Sequence, residues 1–424
     1  MAAGLRAYGA VLADRAARSF SAAGFFARLP LSMTGIGIVL LVSLVTGSFG
    51  RAGLVAAAVT IAGAIGLPLW GRLIDRVGQA RVLVVAALIN SISLSVMVTS
   101  VLLGWPFAVT LAAAVGVGAG FSSAGACVRA RWSARLGDGP LLNTAFALEA
   151  VLDEVIFIIG PVLATFLCTS FHPALGIAVS GLVGLVGALA LAAQRGSQPP
   201  AGRTHADQSP SVRLPVGILL TVSAASFALG VVFGGMEVVV VGYAKAAGIL
   251  PYAGVILMVW AFGSLLAGVV TGSIAWRASP ARRFRIGALA LGLSLLPLPF
   301  VSQPVLVGVV LTVSGFAIAP TLIASVGVVQ ASVPASRLTE ALGWTSTGMA
   351  AGVAAGAALC GQLIDRVGAD SAFWGVVAAG GLLVVLAFFV RDLPVEPVSS
   401  EVTRASTDTL ADPLPPASTQ TPLR

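Results

Sequence analysis

The chain is short of charge, histidine, cysteine and lysine, and each shortage removes a class of function. Charged residues make up 9% of its 424 positions, where a soluble domain of average usage carries roughly a quarter. So little charge leaves apolar surface that water does not accept, and that surface must face lipid. The histidines are His172 and His205, both in loops without ligand-type neighbours. The cysteines, Cys127, Cys168 and Cys360, lie far apart in or near apolar stretches. They form no metal cluster or disulfide framework in the sequence pattern, and buried inert thiols are expected. No G-x-x-x-x-G-K-[ST] phosphate loop occurs, so ATP is not the expected energy source. No nucleophile and base share membrane depth, and neither enzymatic activity nor a cofactor is expected. No leader is visible either. Residues 1–19 hold Asp14 and three arginines without a short apolar core and cleavage site. Leu5, Tyr8, Val11 and Leu12 recur there at helical spacing, which suits a short interfacial helix.

What is present is hydrophobic length. Apolar residues make up 58% of the chain, and a spanning helix needs roughly 20 of them. Twelve such runs are read, at 21–47, 53–70, 81–103, 106–128, 142–169, 173–193, 215–243, 250–275, 285–302, 304–328, 340–360 and 372–390. Pro30, Pro161 and Pro320 fall inside runs, where neighbouring helices or water can satisfy the freed carbonyls. The expected architecture is an all-α membrane protein of about twelve transmembrane helices in two six-helix bundles. Residues 1–19 form an N-terminal segment, 20–194 the first bundle and 214–391 the second. The polar, proline-bearing stretch 195–213 reads as a linker, and 392–424, rich in Pro, Ser and Thr, as a disordered tail.

The net charge of +8 is a topological signal. Of 24 basic residues only Lys245 is a lysine, and the arginines are spread a few to a loop. With twelve spans, twenty basic residues fall on one side and three (Arg51, Lys245, Arg366) on the other, leaving Arg28 inside a span. This asymmetry predicts both termini in the cytoplasm, a multi-pass protein of the cell membrane, and no nucleic-acid partner.

The turn after the second span reads Gly71-Arg72-Leu73-Ile74-Asp75-Arg76-Val77-Gly78-Gln79-Ala80-Arg81. Gly71 would allow close helix approach. Asp75 sits at a helix end, where it can pair with an arginine or accept backbone N–H groups. Gly78 permits a tight turn. The string resembles the major facilitator signature G-x-L-x-D-R-x-G-R-[RK], departing only at Gln79 and Ala80. That resemblance implies two six-helix halves rocking about a central cavity, with Asp75, aided by Arg76, latching the halves in one state. The second half carries a degenerate copy in which Gly272, Ile274, Arg277 and Arg282 fall opposite Gly71, Leu73, Arg76 and Arg81. A further copy, Gly361-Gln362-Leu363-Ile364-Asp365-Arg366-Val367-Gly368, falls on the outer side after the eleventh span and reads as a helix-ending turn, not as the latch. Gly160-Pro161 in the fifth span partly matches the glycine-rich motif of antiporter members, though Ile156, Ala164 and Thr165 stand where that motif has glycines. The arginine those members often carry in the fourth span is replaced by Ala112–Ala114.

Ionisable groups inside a bilayer are costly and are functional candidates by default. Glu149 and Asp153 share a face of the fifth span at i, i+4, flanked by Glu154. Carboxylates crowded in low dielectric repel, which suits one of them to hold a proton; an ion pair with Arg28 is the structural alternative. Glu237 is a lone acid in the apolar seventh span, with a proton or substrate site and a structural hydrogen bond both open. Arg28 can snorkel, pair with a helix-5 acid or receive an anion. Gly348, Gly352 and Gly356 form a ridge that reads as helix packing. Phe146, Phe157 and Trp344 are candidates to stack on a substrate. The function expected is a secondary active transporter of a small molecule, hydrophobic or amphipathic, monomeric and proton-coupled, working by export. Uptake symport, facilitation and a transport-inactive sensor are the alternatives.

Overall fold

The structure, a computed structural model, describes residues 9, 11–137, 139–201, 216–274, 276–333 and 337–390. Leu5 and Tyr8, the linker from 202 to 213 with His205, and the tail 392–424 lie outside the described residues. Twelve helices are long and apolar enough to cross a membrane. They are α1 (Arg15–Thr46), α2 (Phe49–Val77), α3 (Gln79–Leu102), α4 (Phe107–Leu136), α5 (Leu141–Ser170), α6 (Leu175–Ala193), α7 (Val216–Ala246), α8 (Leu250–Gly272), α9 (Pro280–Phe300), α10 (Pro304–Ser332), α11 (Glu340–Val367) and α12 (Ala369–Phe389). No strand occurs among the described residues. In lipid every backbone group must be satisfied within its own segment, and helices alone do this without closing a barrel.

The span boundaries depart from hydropathy where polar residues are helical. α1 begins at Arg15, six residues before the expected start, and α2 and α11 each run on through their G-x-L-I-D-R-V to a terminal glycine. Val11 and Leu12 are helical as expected, and Val11 is buried in the cluster that holds Phe20 and Trp132. Asp14 caps α1 by accepting the Ala16 N–H at 2.9 Å. The Arg135 guanidinium bonded to it holds its carboxyl below the usual carboxylate range.

α1 and α4 are interrupted mid-span, for identifiable reasons. α1 breaks at Leu29, because Pro30 has no N–H to continue the ladder. α4 breaks after Ala119 and resumes at Ala124. The carbonyls this frees are taken by neighbours: Asn90 of α3 donates to Val117 O at 2.8 Å and Trp70 of α2 to Ala119 O at 2.6 Å. Such outside donors are what make a break tolerable at membrane depth.

α1–α6 and α7–α12 form the two halves. Inside the second half, α7 lies along α11 through small residues. A Cβ on Gly348, Gly352 or Gly356 would come within 2.5, 2.0 or 2.3 Å of the carbonyl oxygens of Ser223, Phe227 and Val231, and one on Gly230 or Gly234 within 2.2 or 2.0 Å of those of Met349 and Val353. The ridge is therefore a packing seam, as its spacing suggested. Gly71 is different. A Cβ there would meet nothing within 4 Å, so the close approach expected of it is absent.

Helix alternation places the α2–α3 and α4–α5 turns on one face, here called the basic face because Arg72, Arg76, Arg81, Arg129 and Arg135 lie there. Arg131 on the same face is fully buried. It donates to Gln79 Oε1 at 2.8 Å, Leu191 O at 2.9 Å, Gln194 O at 3.2 Å and Ser197 Oγ at 2.8 Å. A guanidinium at the C-terminal end of α6 is favourably placed against the helix dipole. Gln79, where the resembled motif carries a basic residue, is Arg131's acceptor and is itself buried.

Candidate functional site

The halves meet along α2–α11 and α5–α8, and the closest contacts gather at the face opposite the basic one. There a Cβ on Gly53 would lie 2.1 Å from Ala357 O, and one on Gly254 2.3 Å from Pro161 O. Lys245 Nζ donates to Ser43 O at 3.2 Å and sits 5.4 Å above the Phe49 ring. Between the halves lies a cavity of about 500 Å³, a size ordinary for a small-molecule site. Its walls come from both halves: Leu31 and Ser32 of α1, Glu154, Phe157 and Pro161 of α5, Phe233 and Glu237 of α7, Trp260 and Ser264 of α8, Ile318 and Leu322 of α10, and Met349 and Val353 of α11.

The helix-5 acids divide into two roles. Glu149 is fully buried and accepts from Arg28 Nη2 at 2.5 Å, Ser21 Oγ at 2.6 Å and Trp132 Nε1 at 3.0 Å. Asp153 accepts from Arg28 Nη1 at 2.7 Å and from Arg129 Nη2 at 2.7 Å. Arg28 is 2% exposed and also donates to Gly24 O at 3.0 Å. Two guanidinium groups thus face two carboxylates, and the cluster ties the basic-face ends of α1, α4 and α5 together. Its charges balance, which is the condition for keeping ions at this depth. Of the readings open for Arg28, the geometry realises the helix-5 pair.

Glu154, one residue beyond Asp153, turns instead into the cavity, as does Glu237. Neither has a hydrogen-bond or ion-pair partner among the described residues, and no lysine, arginine or histidine is among the lining residues. Carboxylates in apolar surroundings without a counter-charge lose solvation, and a proton or a cationic guest relieves that loss. Glu237 lies against α1: a Cβ on Gly35 would come 2.5 Å from its Oε1, so glycine there leaves the carboxylate its room.

Trp260 was invisible to the sequence reading. It is 6% exposed, its ring centroid is 5.1 Å from that of Phe233, and its buried Nε1–H has no acceptor among the described residues. An orphan donor of this kind on a cavity wall is costly unless something fills it. Ser32, also missed, donates to Ile156 O at 2.8 Å, and Gly160 packs directly on it, since a Cβ would lie 1.9 Å from Ser32 Oγ. Of the aromatic candidates, Phe157 lines the cavity, Phe146 packs in the cluster around Trp132, and Trp344 is exposed. Asp75, Arg76 and Arg81 are exposed, and Gly78 turns the chain at φ 91°. Cys127, Cys168 and Cys360 are free and buried, and no group of His, Cys, Asp and Glu fit for a metal occurs among the described residues.

Twelve spanning helices in two halves, closed at one face over an apolar cavity, define a multi-pass transporter of small molecules, not an enzyme. The model of the Major Facilitator Superfamily matches residues 20–319 and 251–421. The chain belongs to that superfamily. Solved structures agree in fold. A single-residue variant of the nucleoside transporter NupG superposes with TM-score 0.73 at 14% identity, covering 88% of this chain and 98% of that one. An auto-inhibited peptide transporter of the POT family gives 0.64 at 11%, covering 91% and 98%. The human organic anion transporter MFSD10 gives 0.59 at 16%, covering 89% and 100%. No curated protein matches the chain in sequence.

Proposed function

We propose that the protein exchanges protons for a small, largely apolar organic cation and exports it, with the basic face in the cytoplasm. One observation carries this reading: Glu154 and Glu237 line an apolar cavity without a protein cation, while Arg28 and Arg129 are already matched by Glu149 and Asp153. A carboxylate that holds a proton or a cation, and not both, couples the two in opposite directions. A proton entering from outside releases the cation there; a cation arriving from inside displaces the proton. An inward proton gradient then drives export without ATP. Phe157, Phe233 and Trp260 supply aromatic faces on which a delocalised cation is favourably placed.

The test is flux in proteoliposomes, with tetraphenylphosphonium as the probe cation. An imposed pH gradient should drive probe movement opposite to the protons, and Glu237→Gln and Glu154→Gln should each abolish the pH-driven part. Probe and protons moving together, or driven exchange surviving both substitutions, would falsify the assignment. Absence of any flux, for this probe and for neutral and anionic solutes alike, would favour a sensor.

A further inference from the structure

The α2 and α11 helices end in the same words. Gly71–Gly78 and Gly361–Gly368 both read G-x-L-I-D-R-V-G, differing only at the second position. Both turns close on a glycine at positive φ, 91° and 87°, whose N–H donates to the isoleucine carbonyl four residues back at 2.9 and 3.0 Å. The helices run in opposite senses, so one turn lies on the basic face and its twin on the opposite face. The two aspartates are in different conditions. Asp75 is exposed with no bonded partner among the described residues. Asp365 is bonded across the halves. Its Oδ1 accepts the Phe49 N–H at 2.8 Å, and its Oδ2 accepts the Gly50 N–H at 2.8 Å and the Ser48 hydroxyl at 2.6 Å.

These donors are the start of α2. The first N–H groups of a helix have no partner within it, and a negative charge there is favoured by the helix dipole. Ser48 caps the third, accepting from Arg51 N–H at 3.1 Å. The first and second are left to a carboxylate that arrives more than three hundred residues later. The seam is cut to admit it. A Cβ would lie 2.9 Å from Asp365 Oδ2 if placed on Gly50, and 2.3 Å from Phe49 O if placed on Gly361.

We infer that Asp365 is a gate residue of the opposite face: it holds that face shut by capping α2 from the other half, and releases it when the face opens. The contact suits a gate because it is reversible. Once the halves part, water can replace the carboxylate on the exposed N–H groups, so the latch biases the equilibrium by about tenfold, in the range of a helix cap, without locking it. The resemblance of the α2–α3 turn assigns Asp75 to the other face, and with Asp365 the molecule carries one such turn for each. This inference rests on the alternating-access reading but not on substrate, coupling ion or direction.

Electron–electron distance measurements test it, after Cys127, Cys168 and Cys360 are replaced by alanine. Spin labels at Leu103→Cys and Gln303→Cys report the opposite face, and labels at Ala193→Cys and Arg282→Cys the basic face. Asp365→Ala should raise the ratio of opposite-face-open to closed molecules about tenfold, lengthening the first distance and shortening the second. Asp370→Asn, which removes an acid from the same face away from α2, should leave both distances as in the parent. If the alanine variant fails to fold, Asp365→Asn, which keeps one acceptor oxygen, is measured instead and should give a smaller shift of the same sign. Unchanged distances in the Asp365 variants, or the same change in Asp370→Asn, overturn the latch. Lengthening at one face without shortening at the other overturns the alternating-access reading beneath it.

Discussion

Four acids stand within the spans of α5 and α7, and their neighbours divide them into a pair matched by arginines and a pair that lines the cavity without a counter-charge. Glu149 and Asp153 are neutralised by Arg28 and Arg129. Taking one acid from a buried cluster strands its partner, which typically costs about 3–5 kcal/mol. Glu149→Ala leaves the Arg28 guanidinium, 3% exposed, with one acid fewer, and also leaves the Trp132 N–H and Ser21 hydroxyl unmet. A loss near the upper end of that range is expected, read as a lowered unfolding midpoint in detergent. Glu154→Gln strands nothing and should move stability by no more than about 0.5 kcal/mol, while removing pH-driven exchange. Equal destabilisation by the two substitutions would show that the division is mistaken. The i, i+4 spacing on α5 and the Arg28 alternative were legible in the sequence. What was not legible is which acid the arginines choose. That depends on Arg129, whose place on α4 is set by the break at Gly120–Ser123, and hydropathy does not register such a break.

At the scale of helices, glycine has two different uses on α2 and α11. Gly352 meets α7 within one half, and Gly53 meets α11 across the halves. The same addition of one methyl should therefore have different consequences. A Cβ introduced by Gly352→Ala would lie 2.0 Å from the Phe227 carbonyl oxygen, so α7 and α11 must part. The C-terminal half then loses packing, and overpacking of this kind costs about 1–3 kcal/mol. Gly53→Ala meets Ala357 O only when the opposite face is closed, so it should shift the molecule toward the open state with little loss of stability. Thermal unfolding of each variant, set beside maleimide reactivity of a cysteine placed at Leu31 in the cavity, separates the two outcomes; a common fall in stability with no change in reactivity would contradict the distinction. The small-residue ridge on α11 could be read from its spacing alone. The ridge's partner, and the failure of Gly71 to make any contact, could not, because spacing states which residues share a face and not what faces them. Asp365 is the sharpest case. As a string it is a helix end, and only the fold brings the start of α2 to it.

At the scale of the whole molecule, the strongest signal in the sequence is an asymmetry of charge, and it bears on which side the cavity opens to as well as on topology. The sequence count of twenty basic residues on one side against three on the other predicts the orientation, because arginine-rich loops tend to stay in the cytoplasm. The structure has its exposed Arg72, Arg76 and Arg81 on one face and the joined ends of α2 and α11 on the other. If the basic face is cytoplasmic, the molecule as seen is closed toward the outside, and a cation reaching Glu154 and Glu237 comes from within. The buried native thiols make this directly measurable, since they give little background labelling. In intact cells a membrane-impermeant maleimide should react with Arg51→Cys and Gln303→Cys and spare Arg81→Cys and Arg282→Cys until the cells are lysed. The reverse pattern would leave the fold, the superfamily and the cavity as they are, yet it would turn the proton gradient around relative to the closed face. In the state seen here the same two carboxylates would then be reached from outside, but the proposed exchange would still run as export, because an inward proton gradient drives an antiported cation outward whichever way the protein is inserted.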